Sequence, residues 1–176
     1  LSAIFVFVFN ACKKDDEETS KELEMSELLN TGTDITATLN PNGNTPLCAE
    51  LEFSTNIPVR VDLTVKGAIP VSNSWDTYSD DQIIPVLGLY PDTVNEVKLK
   101  LTCQNGKWAE KIIQIETDSQ PSYFPDINIE EYSEVMAEKG MILNCMFFAY
   151  NGQFRTEPFI FDSNGDVRWW LNPTED

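Results

Sequence analysis

Apolar and polar residues alternate from residue 35 to residue 117, a period of two that is typical of strands with one buried face. The clearest run covers residues 57–65, and residues 47–53 and 97–103 follow the same rule. Turn signals separate these runs, namely Asn42-Gly43, Gly67, Pro91 and Asn105-Gly106. No helical period of comparable strength intervenes, which disfavours a parallel sheet with helical crossovers. The pattern therefore predicts an antiparallel β-sandwich over residues 31–117.

A second group of strands is predicted after a linker at residues 118–126. Residues 141–150 are largely apolar, and the stretches 158–161 and 167–171 are short apolar runs. Asn151-Gly152 and Ser163-Asn164-Gly165 are hairpin turn signals between them. The arrangement predicts an antiparallel meander.

This meander is predicted to be apolar on both faces, with Met146, Phe148 and Tyr150 on one and Leu143, Phe147 and Ala149 on the other. Sheets of that kind stack against other sheets, as the blades of a β-propeller do. We therefore expect residues 127–176 to be an incomplete propeller blade that leaves Trp169 and Trp170 uncovered. The sandwich is expected to fold alone, and trimming near residue 120 is expected to raise solubility.

The N-terminus has the pattern of an export signal. Residues 1–11 are mostly apolar but too short to span a bilayer as a helix, and they resemble the end of a signal peptide. Ala11-Cys12 resembles a lipobox, so Cys12 is the predicted lipid attachment site. Residues 12–30, in which the run KKDDEE directly follows Cys12, are predicted to form an acidic tether, with a short helix over residues 21–29. The motif resembles surface lipoproteins of Gram-negative bacteria, with the periplasmic face as the alternative.

Composition excludes several functions. The formal charge of −17 repels phosphate backbones, which argues against nucleic-acid binding. The chain has no histidine, so Ser-His-Asp triads and His-ligated zinc sites cannot form. Residues 162–166 (DSNGD) lack the spacing of a calcium loop and are better explained as a hairpin turn. We predict no metal and no cofactor.

The cysteines are interpreted by strand phase. Cys103 shares the buried phase of its strand, whereas Cys48 falls with Glu50 on the outer phase. A disulfide requires the two side chains to face each other, so a Cys48–Cys103 bond is not expected. Apart from Cys12, the chain also contains Cys145, so at least one of these thiols stays unpaired within the chain.

Residues 88–95 (GLYPDTVN) resemble the corner that precedes strand F in fibronectin type III domains. Leu89, Pro91 and Thr93 match that motif, whereas Asn95 stands in place of its tyrosine. The corner favours an immunoglobulin-like or fibronectin III-like sandwich.

Three segments in order resemble the N-terminal region of bacterial arylsulfotransferases: residues 40–55 (NPNGNTPLCAELEFST), 83–102 (IIPVLGLYPDTVNEVKLKLT) and 161–171 (FDSNGDVRWWL). The resemblance implies an enzyme that passes sulfate from an aryl sulfate to a phenol through a sulfated histidine of a six-bladed propeller. Because this chain has no histidine, that catalytic region is expected beyond Asp176, and the chain alone is expected to be inactive. No catalytic residue is assigned. Arg155 and Arg168 are available cations, but Arg168 matches a strand position of the family.

Two functions stay open at this point. The first is the non-catalytic front portion of such an enzyme, with aryl sulfate and phenol as partners of the full-length protein, which could also be a homodimer. The second is a surface lipoprotein whose sandwich binds a glycan or a protein, with Trp75, Tyr78 and Tyr90 as candidate contacts. Both include a membrane contact through the lipid on Cys12.

Overall fold

The computed structural model describes residues 22–130, 140–150 and 152–172. Within these ranges the order of elements is α1 (Met25–Leu28), β1 (Thr36–Leu39), β2 (Ala49–Val65), β3 (Val71–Val86), β4 (Val94–Cys103), β5 (Trp108–Glu116), β6 (Ile142–Tyr150), β7 (Gln153–Phe161) and β8 (Val167–Trp170). β1 to β5 form a five-stranded sheet, and β6 to β8 form a three-stranded sheet. All strand pairs between these elements are antiparallel, so the predicted all-β fold is confirmed.

The long strand β2 is the centre of the first sheet. It pairs with β3 along one edge and with β1, then β4, along the other, and β5 extends the sheet beyond β4. Because β1 pairs with residues 49–52 and β4 with residues 59–65, the two halves of β2 contribute to two layers. The sheet curls into a half-barrel, and the buried apolar residues of its strands form the core of the sandwich.

β2 joins two runs that the sequence pattern separates. Its pairing with β3 shifts register between Ser54 and Val61, a stretch that contains Pro58. Proline has no N–H to donate, so the strand bends through an irregularity here instead of ending. Ile57 lies at the bend and is 41% exposed, although its phase predicts burial.

Elsewhere in β2 and β4 the predicted phases are correct. The inward positions of β2 and β4 are buried: Ala49, Leu51, Phe53, Val59, Val61, Leu63, Val65, Val97, Leu99, Leu101 and Cys103. Each buried Leu or Val side chain contributes roughly 1.5–3 kcal/mol relative to an exposed one. These two strands therefore supply much of the core.

The first described residues, 22–30, already pack against the sandwich. Leu23 donates its N–H to the Trp108 carbonyl at 2.7 Å, and Leu28 and Leu29 are buried. Helix α1 is shorter than predicted and is stabilised by a capping contact in which Glu27 accepts the Glu24 N–H at 2.8 Å. Residues 22–30 thus belong to the folded unit and not to a free tether. No helix of the described ranges is long and apolar enough to cross a bilayer.

The predicted meander is present, with a longer middle strand than the sequence indicates. β7 pairs with the whole of β6, from Ile142 opposite Phe161 to Tyr150 opposite Gln153, and β8 pairs with the end of β7. The turn at residues 162–166 is a hairpin, in which the Gly165 N–H donates to the Asp162 carbonyl at 3.0 Å.

The segment between the two sheets covers one face of the meander. The Phe124 ring lies 5.2 Å from that of Phe159 and 5.7 Å from that of Trp170, measured between centroids. The expectation that Trp169 and Trp170 are uncovered is therefore wrong: Trp170 is 2% exposed and Trp169 is half-buried. Residues of both sheets join in one contiguous apolar cluster.

Candidate functional site

Arg168 connects the two sheets. Its side chain is fully buried, although it carries a charge, and it reaches from β8 of the meander into the sandwich. Its Nε and Nη2 donate to the Gly88 carbonyl at 3.1 and 2.7 Å, and its Nη1 donates to the Ile69 carbonyl at 2.8 Å. We call Arg168 and its partners Ile69, Gly88, Tyr90 and Asp162 the arginine joint.

Asp162 neutralises the charge of Arg168 from the same hairpin. Its Oδ2 accepts Nη1 of Arg168 at 2.7 Å, and both side chains are fully buried. The other oxygen, Oδ1, accepts the N–H groups of Asn164 and Asp166 at 3.0 and 3.2 Å. A buried ion pair is tolerated when its remaining polar atoms are also paired, and this condition is met for the carboxylate.

Tyr90 forms the floor of the joint. The guanidinium carbon of Arg168 lies 3.5 Å from the centroid of the Tyr90 ring, a close cation–π contact. The Tyr90 hydroxyl donates to the Ile69 carbonyl at 3.2 Å and accepts the Ile69 N–H at 3.1 Å. A Cβ at Gly67 would overlap the Tyr90 ring, so only glycine leaves room for the ring at this place.

The corner at residues 88–95 is held by Asn95, the residue that departs from the fibronectin motif. Asn95 is 3% exposed, and its side-chain oxygen accepts the Tyr90 N–H at 2.8 Å while its Nδ2 donates to the Tyr90 carbonyl at 3.0 Å. Thr117 adds a bond from Oγ1 to the same carbonyl at 2.6 Å. The amide thus performs locally what a tyrosine hydroxyl does in the related corner.

A second contact between the sheets lies beside the joint. The Asn172 N–H donates to the Asn44 carbonyl at 2.8 Å. The side chains of Thr45 and Trp169 lie beside the Cys48 thiol, whose pKa is raised by burial and lowered by these two neighbours. Cys48 is therefore 7% exposed, which corrects its predicted outer phase: the meander covers that side of the sheet. Cys48 and Cys103 are both free thiols, as expected, and Cys145 is free and exposed.

Glu157 is a second buried acid of the meander. It is fully buried, and both of its carboxylate oxygens lie 3.3–3.4 Å from the Tyr123 hydroxyl. Burial raises the pKa of the Glu157 carboxyl, and the Tyr123 hydrogen bond and the Arg155 charge oppose that shift. The pair joins the segment before the meander to its middle strand.

The opposite face of the meander is open at β6 and β7. Leu143, Phe147 and Phe154 are 68%, 71% and 76% exposed, and the two Phe rings stack with centroids 5.3 Å apart. The prediction of two apolar faces is thus correct for this side. Phe148 and Tyr150 were predicted on the other apolar face, and their side chains lie outside the described part of the structure.

The remaining predicted contacts do not converge on one place. Cys12 lies outside the described residues, as do the signal-peptide remnant and the acidic run. Tyr90 is occupied by Arg168, Trp75 is half-buried against the core, and Tyr78 is 37% exposed on the edge strand β3. Within residues 22–130, 140–150 and 152–172, no group of three or more His, Cys, Asp or Glu side chains is placed to hold a metal ion.

The sequence pattern did not indicate the joint, although it singled out both of its halves. Arg168 and the corner at residues 88–95 were recognised as separate motifs. Their contact uses backbone carbonyls 80 and 99 residues away from Arg168, and no side-chain pattern encodes such partners. The one hint in the sequence was the position of Arg168, a charged residue among the apolar residues of a short predicted strand.

Comparison with known families agrees with the geometry of the sandwich. Residues 36–118 match the family model described as the arylsulfotransferase Ig-like domain. The match contains β1 to β5 and the corner that binds Arg168, and it ends before the meander. No curated protein matches the chain.

Proposed function

Because residues 36–118 are an arylsulfotransferase Ig-like domain, we propose that this chain is the non-catalytic N-terminal portion of an arylsulfotransferase. In the full-length enzyme, sulfate would pass from an aryl sulfate to a phenol through a sulfohistidine of a propeller. The role of this portion is to support the first sheet of that propeller. The arginine joint is the observation that carries the supporting role.

Several features favour a structural role for this chain over a catalytic one. The sequence contains no histidine, so it cannot supply a sulfohistidine. The fully buried cation Arg168 is engaged with Asp162, two carbonyls and a ring, so it cannot also bind sulfate oxygens. The acidic surface, with a net charge of −17, is unfavourable for an anionic sulfate ester.

The meander supports the assignment to a propeller. Its open face carries Leu143, Phe147 and Phe154, which is the type of surface that a neighbouring sheet covers. Propeller blades have four strands, and the three described here would be completed by one more.

The activity test uses a chromogenic aryl sulfate with a phenol acceptor. The purified chain should give no turnover above a heat-denatured control, and mass spectrometry should find no sulfated side chain on it. The full-length enzyme, encoded by the complete gene, should turn over and carry its sulfate on a histidine. Turnover by the isolated chain would contradict the proposal.

We also propose that Cys12 carries the lipid that anchors the enzyme to the outer membrane or cell surface, on the basis of the apolar run, Ala11 and the acidic residues that follow. Replacing Cys12 by Ala in the complete gene should move the protein from the membrane to the soluble fraction. Protease treatment of intact cells separates the outer surface from the periplasmic face. Unchanged membrane association of the Cys12→Ala variant would refute the lipid anchor.

A further inference from the structure

We propose that the Ig-like domain carries a guanidinium-binding socket, formed by the carbonyls of Ile69 and Gly88 and the ring of Tyr90. Its occupation by Arg168 fixes the position of the meander on the domain. This inference rests on the proposed supporting role and names the group through which the support acts. Arg168 is a positioning residue in this scheme and takes no part in chemistry.

The geometry suits a guanidinium and not an ammonium group. The Gly88 carbonyl accepts Nε and Nη2 together, the Ile69 carbonyl accepts Nη1, and the flat cation lies over the Tyr90 ring at 3.5 Å. These contacts require a planar cation with donors pointing in fixed directions. A lysine ammonium, with one nitrogen, cannot reach both carbonyls and cover the ring at once.

The socket is preorganised by contacts that lie within the Ig-like domain. The Tyr90 hydroxyl bonds to both backbone polar groups of Ile69, and Asn95 holds the Tyr90 backbone at 2.8 and 3.0 Å. Gly88 has a φ of +78°, and a Cβ there would come within 2.7 Å of Val71. Because these contacts do not involve the meander, the socket should persist when Arg168 is removed.

Docking through this socket should behave as an all-or-none event. Arg168 and Asp162 lie on the same hairpin and stay paired when the meander moves, but a small displacement would leave this fully buried pair neither hydrated nor in contact with the domain. The carbonyls of Ile69 and Gly88 would also lose hydrogen bonds when the meander moves away. The two sheets should therefore separate completely or not at all.

The cysteines of this chain report docking separately from folding. Cys48 is covered by Trp169 of the meander, Cys103 lies inside the sandwich core, and Cys145 is exposed. Alkylation followed by mass spectrometry measures the rate at each thiol. Cys48 then reports separation of the sheets, Cys103 reports opening of the sandwich, and Cys145 serves as the reference.

The decisive variant is Arg168→Ala, with chemical rescue by ethylguanidinium, which replaces the atoms that the substitution removes. Both compounds are added at the same millimolar concentration. Ethylammonium is the matched control, because it carries the charge but lacks the planar guanidinium group. Arg168→Lys retains the charge within the chain, and Arg60→Ala removes a surface cation that pairs loosely with Asp76 at 3.6 Å. All measurements use the full chain.

In Arg168→Ala and Arg168→Lys, Cys48 alkylation should accelerate by at least about tenfold, because alanine leaves the Asp162 carboxylate buried without its cation and lysine cannot bind both carbonyls. Cys103 should keep its rate, and Arg60→Ala should behave as the unaltered chain. Ethylguanidinium should return the Cys48 rate of Arg168→Ala to within about twofold of the original, whereas ethylammonium should not.

Three results would overturn the socket. The first is an unchanged Cys48 rate in Arg168→Ala. The second is a failed rescue, or rescue by both cations alike. The third is parallel acceleration of Cys103, which would show that Arg168 maintains the sandwich itself. None of these results bears on turnover by the isolated chain, so a failed socket and a failed functional assignment remain distinguishable.

Discussion

At the residue scale, Asn95 shows how one amide can hold a corner of the sandwich. It pairs with both backbone polar groups of Tyr90, and its Nδ2 lies 3.3–3.4 Å from acceptors on Thr93, Ile115 and Thr117. Such a buried side chain fixes the loop that presents Gly88 and Tyr90 to Arg168. The stability of the corner and the shape of the joint are therefore coupled.

Asn95→Ala should lower the free energy of unfolding by about 1–3 kcal/mol, because it leaves the Tyr90 N–H without a partner, whereas the Tyr90 carbonyl keeps its bond from Thr117. Urea titration followed by tryptophan fluorescence measures the change. Asn56→Ala is the matched control, since Asn56 is exposed and its Nδ2 makes a single bond to the Glu27 carbonyl, at 2.8 Å. An equal loss in both variants would contradict this account of the corner.

Glu157 predicts a pH dependence of stability. Its folded-state pKa is raised by burial, so the folded chain binds its proton more tightly than the unfolded chain does. The stability that the protonated Glu157 carboxyl contributes is therefore fully present below its ordinary pKa of about 4.3. It is lost as pH rises through the pKa of the folded state. Glu157 should destabilise the protein near neutral pH.

Glu157→Gln should accordingly raise the free energy of unfolding near pH 7 by about 1 kcal/mol and have little effect near pH 4. The glutamine side chain can still bond to the Tyr123 hydroxyl. Urea titrations at several pH values provide the comparison. If Glu157→Gln is less stable than the original at pH 7, the ionised Glu157 carboxylate stabilises the folded chain and the prediction is wrong.

At the element scale, two hairpin glycines differ only in what surrounds them. Gly152 and Gly165 have φ values of +79° and +88°, so alanine is strained at both. A Cβ at Gly152 meets nothing within 4 Å, whereas a Cβ at Gly165 would lie 2.7 Å from the Ile127 carbonyl oxygen. The second hairpin is packed beneath the segment that precedes the meander.

Gly152→Ala should therefore cost about 1 kcal/mol from backbone strain alone, and Gly165→Ala should cost at least about 2 kcal/mol because backbone must also move. Thermal unfolding of both variants measures the difference. Equal costs would mean that residues 124–129 do not rest on this hairpin. The backbone strain of alanine at positive φ is common to both positions, so it cancels when the two variants are compared.

The strands with strong alternation were predictable, and those without it were not. β2 and β4 place a single apolar face on the core, so their phases were visible in the sequence. β3 was not identified, because only Gln82, Ile84 and Val86 are buried along its 16 residues, Val71 and Trp75 are half-buried against the core, and most of the other residues are exposed. Burial of Cys48 and Trp170 depends on contacts between the sheets, which a local pattern does not contain.

At the scale of the whole molecule, the two sheets share one apolar cluster and are joined by the buried guanidinium group of Arg168. Phe124, Phe159 and Trp170 belong to the same cluster as the sandwich leucines. The expected independence of the sandwich and the benefit of trimming near residue 120 remain predictions. The structure adds a consequence, since trimming would leave the Ile69 and Gly88 carbonyls without Arg168.

Differential scanning calorimetry of the full chain and of Arg168→Met tests the central claim, that the joint makes one unit of the Ig-like domain and the meander. The full chain should unfold in one transition, with equal calorimetric and van't Hoff enthalpies. Arg168→Met should unfold in two, with the meander melting first and the sandwich later. Two separate transitions in the unaltered chain, or a single transition in the variant, would contradict the claim.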